Sequence, residues 1–125
     1  MYVVDTNIFL EILLNQKKSE ECKEFLDKNI GELHITDFSL HSIGVILFKQ
    51  HKDELFLKFI KDTLPKTHII SLPKNQYSQV IDNKRNLGLD FDDSYQYSVC
   101  NNYGFKLKTM DQDFQGIEDI DILFL

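Results

Sequence analysis

Apolar and polar positions follow two rhythms along this chain, and each change of rhythm marks an element. Tyr2-Val3-Val4 is a short apolar run that stops at a carboxylate, Asp5, with Thr6 and Asn7 behind it. It reads as a buried strand followed at once by a helix. Ile8, Phe9, Leu10, Ile12, Leu13 and Leu14 are too densely apolar for a surface helix, so a first helix over residues 8–16 is expected to be largely buried. Ser19 with Glu20 and Glu21 just inside signals the N-cap of a second helix. That helix runs to about residue 29, with Cys22, Phe25 and Leu26 inward, and Gly31 stops it. Leu33-His34-Ile35-Thr36 is a short strand.

A third helix begins at Phe38 and carries Ile43, Val45, Ile46, Leu47 and Phe48. A fourth spans about residues 53–64, with Leu55, Phe56, Phe59, Ile60 and Leu64 at helical spacing and Pro65 closing it. Residues 68–72 form a strand. Pro73 suits the first turn of a helix to about residue 86, and Gly88 suits its C′ position. After Leu89-Asp90-Phe91-Asp92-Asp93 a helix runs from Ser94 to about residue 102, ended by Gly104. Residues 105–109 are a strand, residues 110–114 a loop or single turn, and residues 120–125 a last strand. Strands alternating with helices predict an α/β fold: three layers, α/β/α, around a mainly parallel sheet of roughly five strands.

At 125 residues, 42% of them hydrophobic, the chain is expected to be one domain over residues 1–125 with a real core. It has no apolar stretch long enough to cross a membrane and no basic-then-apolar leader, so no membrane partner and a cytoplasmic setting are expected. Cys22 and Cys100 stand far apart without CxxC or Cys/His spacing, which points to two reduced thiols in helices. The net charge of −6 argues against a generic nucleic-acid coat protein. It does not exclude a nuclease, because acids that hold divalent cations make the bare chain negative.

The acids have a pattern. Asp5 closes the first strand, Asp111 and Asp113 follow the strand at 105–109, and Asp90, Asp92 and Asp93 stand before the helix that precedes it. Parallel strands put their carboxyl ends on one side, where ligands bind in open α/β sheets. Six carboxylates could crowd that edge, and a hard cation with oxygen ligands, Mg²⁺ or Mn²⁺, would relieve their repulsion. Such a centre suits phosphoester hydrolysis without a covalent intermediate. No GxSxG, Cys/His pair or GxxxxGK[ST] loop offers another chemistry. The plainer alternative is capping: Asp92 and Asp93 could cap the helix from Ser94, and Asp113 the turn at Phe114. Asp5 resists it, since a carboxylate after a buried strand costs more to bury than an apolar side chain.

On these residues the chain resembles the PIN-domain ribonucleases, including the VapC-like toxins of toxin–antitoxin pairs. Val3-Val4-Asp5-Thr6-Asn7 looks like that family's first motif, which implies Asp5 as a metal ligand with Thr6 and Asn7 in support. Leu89-Asp90-Phe91-Asp92-Asp93-Ser94, followed by the small Cys100, looks like the third motif, with Asp93 as ligand. Thr109-Met110-Asp111-Gln112-Asp113-Phe114 looks like the fourth, with Asp111 and Asp113 as ligands and Thr109 positioning them or the water. The resemblance therefore implies Asp5, Asp93 and Asp111 as catalytic residues, an RNA substrate, Mg²⁺ or Mn²⁺, a small antitoxin partner and a homodimer.

The second motif departs from the pattern. Thr36 and Ser39 keep its frame, but Ser42 stands where the family usually has Glu, with His41 beside it. Three readings stand. Asp92 or Asp113 compensates; His41 binds a softer metal or gives a proton near neutral pH; or metal binding is crippled and the domain is a binding module for RNA or protein. Glu11, inside the first helix, and Lys84 and Arg85, before the third motif, are further candidates for an interface and for RNA phosphates. Lys106 and Lys108 are expected to reach the cleft or solvent. A phosphotransfer domain of receiver or haloacid-dehalogenase type is the remaining reading. It lacks the paired acids and late Lys of the first and the Asp-x-Asp of the second.

Overall fold

The computed structural model describes residues 1–118 and 122–125. Its strands are β1 (Tyr2–Val4), β2 (Leu33–Thr36), β3 (His68–Ile70), β4 (Lys106–Thr109) and β5 (Ile122–Phe124). Its helices are α1 (Thr6–Leu13), α2 (Ser19–Lys28), α3 (Asp37–Lys49), α4 (Asp53–Asp62), α5 (Ser78–Leu87) and α6 (Phe91–Tyr103). All strand pairs are parallel and the sheet order is β3-β2-β1-β4-β5. The expected three-layer α/β architecture is thus present. Of the last expected strand, residues 122–124 form β5, and residues 120 and 121 lie outside the described residues.

Register explains the two cores. Val3 pairs with His34 and Leu107, so these share one sheet face, and Val3 and Leu107 pack with Val80 of α5 and Tyr95, Tyr97 and Val99 of α6. Val4 and Ile35 point the other way and pack with Ile8, Phe9, Leu26, Ile43, Leu47 and Phe59 of α1–α4. Strands buried on both faces are apolar throughout rather than alternating. The middle strand β1 shows this in Tyr2-Val3-Val4.

Several boundaries differ from expectation, three of them through a side-chain hydrogen bond to a backbone amide. α6 starts at Phe91, not Ser94, because Asp90 is the cap and accepts from the Asp93 amide at 3.1 Å. Asp92 and Asp93 therefore lie in the first turn instead of capping it. Asp111, not Asp113, caps the turn Gln112–Phe114, accepting from the Asp113 amide. α3 starts one residue early because Thr36 caps it, taking the Ser39 amide at 3.0 Å. α1 begins at Thr6 and ends at Leu13. Lys18 rather than Ser19 is the N-cap residue of α2. α4 stops at Asp62, and Leu64–Lys66 are a separate 3₁₀ turn. Pro73 precedes a 3₁₀ turn, Lys74–Gln76, and α5 proper starts at Ser78. Gly88 and Gly104 do end their helices, in left-handed conformations that favour glycine.

α6 departs furthest from a surface helix. Asp93 to Cys100 are all buried, among them Ser94, Gln96 and Ser98. Ser98 donates to the Ser94 carbonyl at 2.7 Å and accepts from Asn83 of α5 at 2.7 Å, so its hydroxyl is satisfied inside. Cys22 and Cys100 are buried free thiols in α2 and α6, one in each core. Burial pushes both thiols up.

Tyr95 holds α6 to the rest. Its hydroxyl donates to Asp37 of α3 at 2.7 Å and accepts from the Leu72 amide at 3.0 Å. Leu72 left its expected strand to make that bond. Tyr95→Phe leaves an amide and a carboxylate oxygen without this partner. We expect a loss of about 1–3 kcal/mol in urea unfolding, with the fold kept.

Candidate metal centre

From β1 the chain moves outward to β2 and β3, then crosses to β4 and β5 on the other side of β1. The order reverses between β1 and β4, and a crevice opens at such a switch point beyond the carboxyl ends of the strands. Asp5 follows β1 there, Thr109 ends β4, and the first turn of α6 carries Asp93.

Hydrogen bonds link these segments in sequence. Asp5 is 6% exposed. Its Oδ2 accepts from Thr109 Oγ1 at 2.6 Å, and its Oδ1 accepts from Gln96 Nε2. Thr109 Oγ1 in turn accepts from the Asp111 amide at 2.9 Å, and Asp111 Oδ1 from the Asp113 amide at 2.9 Å. One carboxylate oxygen each from Asp93, Asp111 and Asp113 lies within 4.8 Å of the others.

The electrostatics are unfavourable for the bare chain. Burial raises the Asp5 carboxyl above its ordinary range, the Thr109 and Gln96 hydrogen bonds pull it back, and the charge of Asp111 raises it again. Asp93 is pushed up to about 8, first by burial and then by Asp111, Asp90, Asp5 and Asp92. The ion pairs Lys23–Glu20, Lys28–Glu24 and Lys66–Asp27 involve none of these acids. The helix N-terminus at Asp93 adds only about half a positive charge.

The donor set fits a hard divalent cation. Mg²⁺ at about 2.1 Å from its oxygens sets neighbouring ligands about 2.9 Å apart and opposite ones about 4.2 Å apart. Oxygens within 4.8 Å of one another reach that geometry by a small contraction. Two amide oxygens, Oε1 of Gln96 and Oδ1 of Asn7, are also buried without a hydrogen-bond partner.

Not every expected residue joins this group: Asp5, expected as a ligand, is not one of the three, and both its oxygens are hydrogen-bonded to Gln96 and Thr109. Asp90 caps α6, and Asp92 is exposed and outside the triad. Of the two acids considered as replacements for the missing Glu, Asp113 is brought to the cluster and Asp92 is not. His41 and Ser42 line a cavity of about 420 Å³ with Phe38, Tyr77, Phe91 and Tyr95. Thr6 donates to Ser39 at 2.8 Å, joining α1 to α3. Glu11 accepts from the Lys18 amide at 2.8 Å and so holds the α1–α2 turn. Lys108 places Nζ 4.6 Å from the centre of the Phe25 ring, on the face opposite Asp5 and Thr109, and Lys106 is exposed. Lys84 and Arg85 are exposed on the last turn of α5.

Gln96 and Tyr95 were not legible as functional residues. The available signal was spacing, since Gln96 stands three residues after Asp93 and shares its helix face.

The sequence matches the family model described as PIN domain over residues 2–120. The chain belongs to the PIN domain family. PIN domains are generally nucleases that use divalent metals, and the acidic cluster here lies at the switch point of a PIN-type sheet. No curated protein matches the chain in sequence. Solved structures match it in fold. VapBC2 from Rickettsia felis, bound to a DNA fragment from its promoter, superposes with a TM-score of 0.80 at 17% identity, covering 98% of this chain and 97% of that one. A toxin–antitoxin complex from Klebsiella pneumoniae gives 0.78 at 18% identity, with 98% and 96% covered. VapC20 of Mycobacterium tuberculosis, a toxin that cleaves the sarcin–ricin loop, gives 0.78 at 12% identity, with 96% and 98% covered.

The raised Asp93 carboxyl has a consequence for stability. Between pH 4 and 8 the folded PIN domain binds a proton at Asp93 that the unfolded chain has released, so stability falls as pH rises. In EDTA we expect the Tm to drop by roughly 5 °C or more from pH 5 to pH 8. Asp93→Asn should flatten that slope, and scanning calorimetry at both pH values measures it.

Proposed function

We propose that this PIN domain is a divalent-metal-dependent endoribonuclease, acting as the toxin of a toxin–antitoxin pair. The observation that carries the reading is the convergence of Asp93, Asp111 and Asp113, drawn from α6 and the segment after β4. Those three acids would hold Mg²⁺ or Mn²⁺, and Asp5 supports them through Thr109. A divalent cation held there would polarise the scissile phosphate and would supply a water that ionises near neutral pH. Thr109 fixes the Asp111 amide and the Asp5 carboxylate together, so the donor oxygens are preorganised before a phosphate arrives. Lys84 and Arg85 are the cations placed on the exposed end of α5, beside the loop that leads into Asp90, and we assign them to flanking RNA phosphates. No helix among the described residues is long and apolar enough to cross a membrane. We assign the protein to the cytoplasm, with its RNA.

The partner reading rests on surface chemistry. Leu40, Val45, Phe48, Phe56 and Ile60 line a groove of about 760 Å³ between α3 and α4. Val45, Phe48, Tyr77, Ile81 and Phe91 are all more than 40% exposed. Apolar surface of this extent marks an interaction site. We assign it to a small antitoxin and to a second copy of the chain, in line with the toxin–antitoxin complexes among the fold's neighbours.

Ser42 favours a second reading, an RNA- or protein-binding PIN module without catalysis. At the position of the family's usual acid, it faces an aromatic cavity with His41.

Purified protein should cleave RNA with Mn²⁺ and stop in EDTA. Asp93→Asn and Asp111→Asn should each lower the rate by a hundredfold or more, by roughly the margin lost when transition-state charge stabilisation is removed. Cleavage that survives both EDTA and Asp93→Asn would refute the nuclease reading. Absence of any Mn²⁺ binding in calorimetry at millimolar metal would favour the binding module.

A further inference from the structure

We propose that Gln96 is a positioning residue: its side-chain amide fixes the Asp5 carboxylate against Thr109 and thereby sets how tightly the acidic cluster holds a divalent cation. Gln96 is 1% exposed in the middle of α6, three residues after Asp93, so one helix face presents both side chains toward β1. Nε2 donates to Asp5 Oδ1, while the Thr109 hydroxyl takes Oδ2. The carboxylate is held at both oxygens, by α6 on one side and β4 on the other, and it cannot turn without breaking one bond. Thr109 passes the restraint on, since the same hydroxyl accepts from the Asp111 amide.

The residue type supports the assignment. The position needs a donor without charge. A Lys would bring a second buried ion, a Glu would repel Asp5, and an aliphatic side chain would pack but leave Oδ1 bare. A position selected for packing alone would be aliphatic, because a buried amide carries a second polar atom that must also be satisfied. Here that atom, Oε1, is buried and has no partner among the described residues. The amide is therefore kept for its Nε2 bond, and Oε1 is left for an internal water.

The inference rests on the metal-centre reading, and its test separates the two. Mn²⁺ is titrated calorimetrically into the full chain, Gln96→Met, Gln96→Asn and Ser98→Ala. Met matches Gln in length without a donor, Asn keeps an amide too short to reach Asp5, and Ser98→Ala perturbs the same buried helix away from the acids. Both Gln96 variants should bind Mn²⁺ ten- to a hundredfold more weakly, the usual effect of removing an outer-shell partner, with Ser98→Ala within twofold of the parent. Gln96 variants that bind within twofold of a parent that binds well would overturn the proposal. If the parent binds no Mn²⁺, the metal-centre reading fails and thermal unfolding decides the positioning role. Gln96→Met should then lower the Tm much less in an Asp5→Ala background than alone. Additive shifts would dismiss it.

Discussion

The buried carboxylate of Asp5 at the β1–β4 junction is the constraint on which the rest of the site depends. A carboxylate that is 6% exposed is stable only if its oxygens are met by donors. The Thr6 amide next in sequence is one; the two side-chain donors come from distant segments, Thr109 on β4 and Gln96 on α6, 104 and 91 residues away. Only a sheet that returns to place β4 beside β1 can bring them. The fold's topology and the satisfaction of one side chain are thus the same requirement. Thr109 extends it, because its hydroxyl both donates to Asp5 and accepts from the Asp111 amide, which ties the start of the segment after β4 to the strand.

Around that anchor the chain gathers more negative charge than it neutralises. Asp90 is used by the backbone as a cap, which brings α6 forward by a turn and puts Asp93 inside it. Asp93 then stands close to Asp111 and Asp113, and its own ionisation is disfavoured by burial first and by the charge of Asp111 next. A site that served stability alone would place a Lys or Arg here. Capping explains Asp90 and one oxygen of Asp111, as the plainer reading of the sequence had it for other acids. It does not explain Asp93, whose burial raises its pKa instead of stabilising the helix end.

Much of this was legible in the pattern of residues. The five strands and six helices were readable because period-2 and period-3.6 runs are interrupted by Gly, Pro and Asp. Helix starts were misplaced by up to several residues because a cap is defined by a side chain meeting an amide. Asp90, Asp92 and Asp93 are alike until the backbone chooses among them. The acids of the cluster were legible from their places after the strand at 105–109 and at the start of the helix before it. Gln96 was not, since a glutamine in a helix is ordinarily a solvent-facing residue. It becomes meaningful only when α6 is seen buried against the sheet from Asp93 to Cys100. That helix is buried although Ser94, Gln96 and Ser98 are polar.

The two sides of the crevice differ in chemistry, and Ser42 brings no carboxylate to its own. On the α3 side, Ser42 and His41 share a cavity with Phe38, Tyr77, Phe91 and Tyr95, a surface of rings rather than carboxylates. Phe91 and Tyr95 stack there with ring planes 15° apart, and Asp37, the one acid in that lining, is engaged by the Tyr95 hydroxyl. One polar group of the α3 side, Asp37, thus helps hold α6 in place. On the β4 side, Asp111 and Asp113 sit on a loop whose first residue is hydrogen-bonded to Asp5 through Thr109. Among the described residues, the acids that converge at this edge come from α6 and the segment after β4. With no carboxylate from position 42 to share the load, the precision of the remaining donors matters more, and that precision is what the bonds to Asp5 supply.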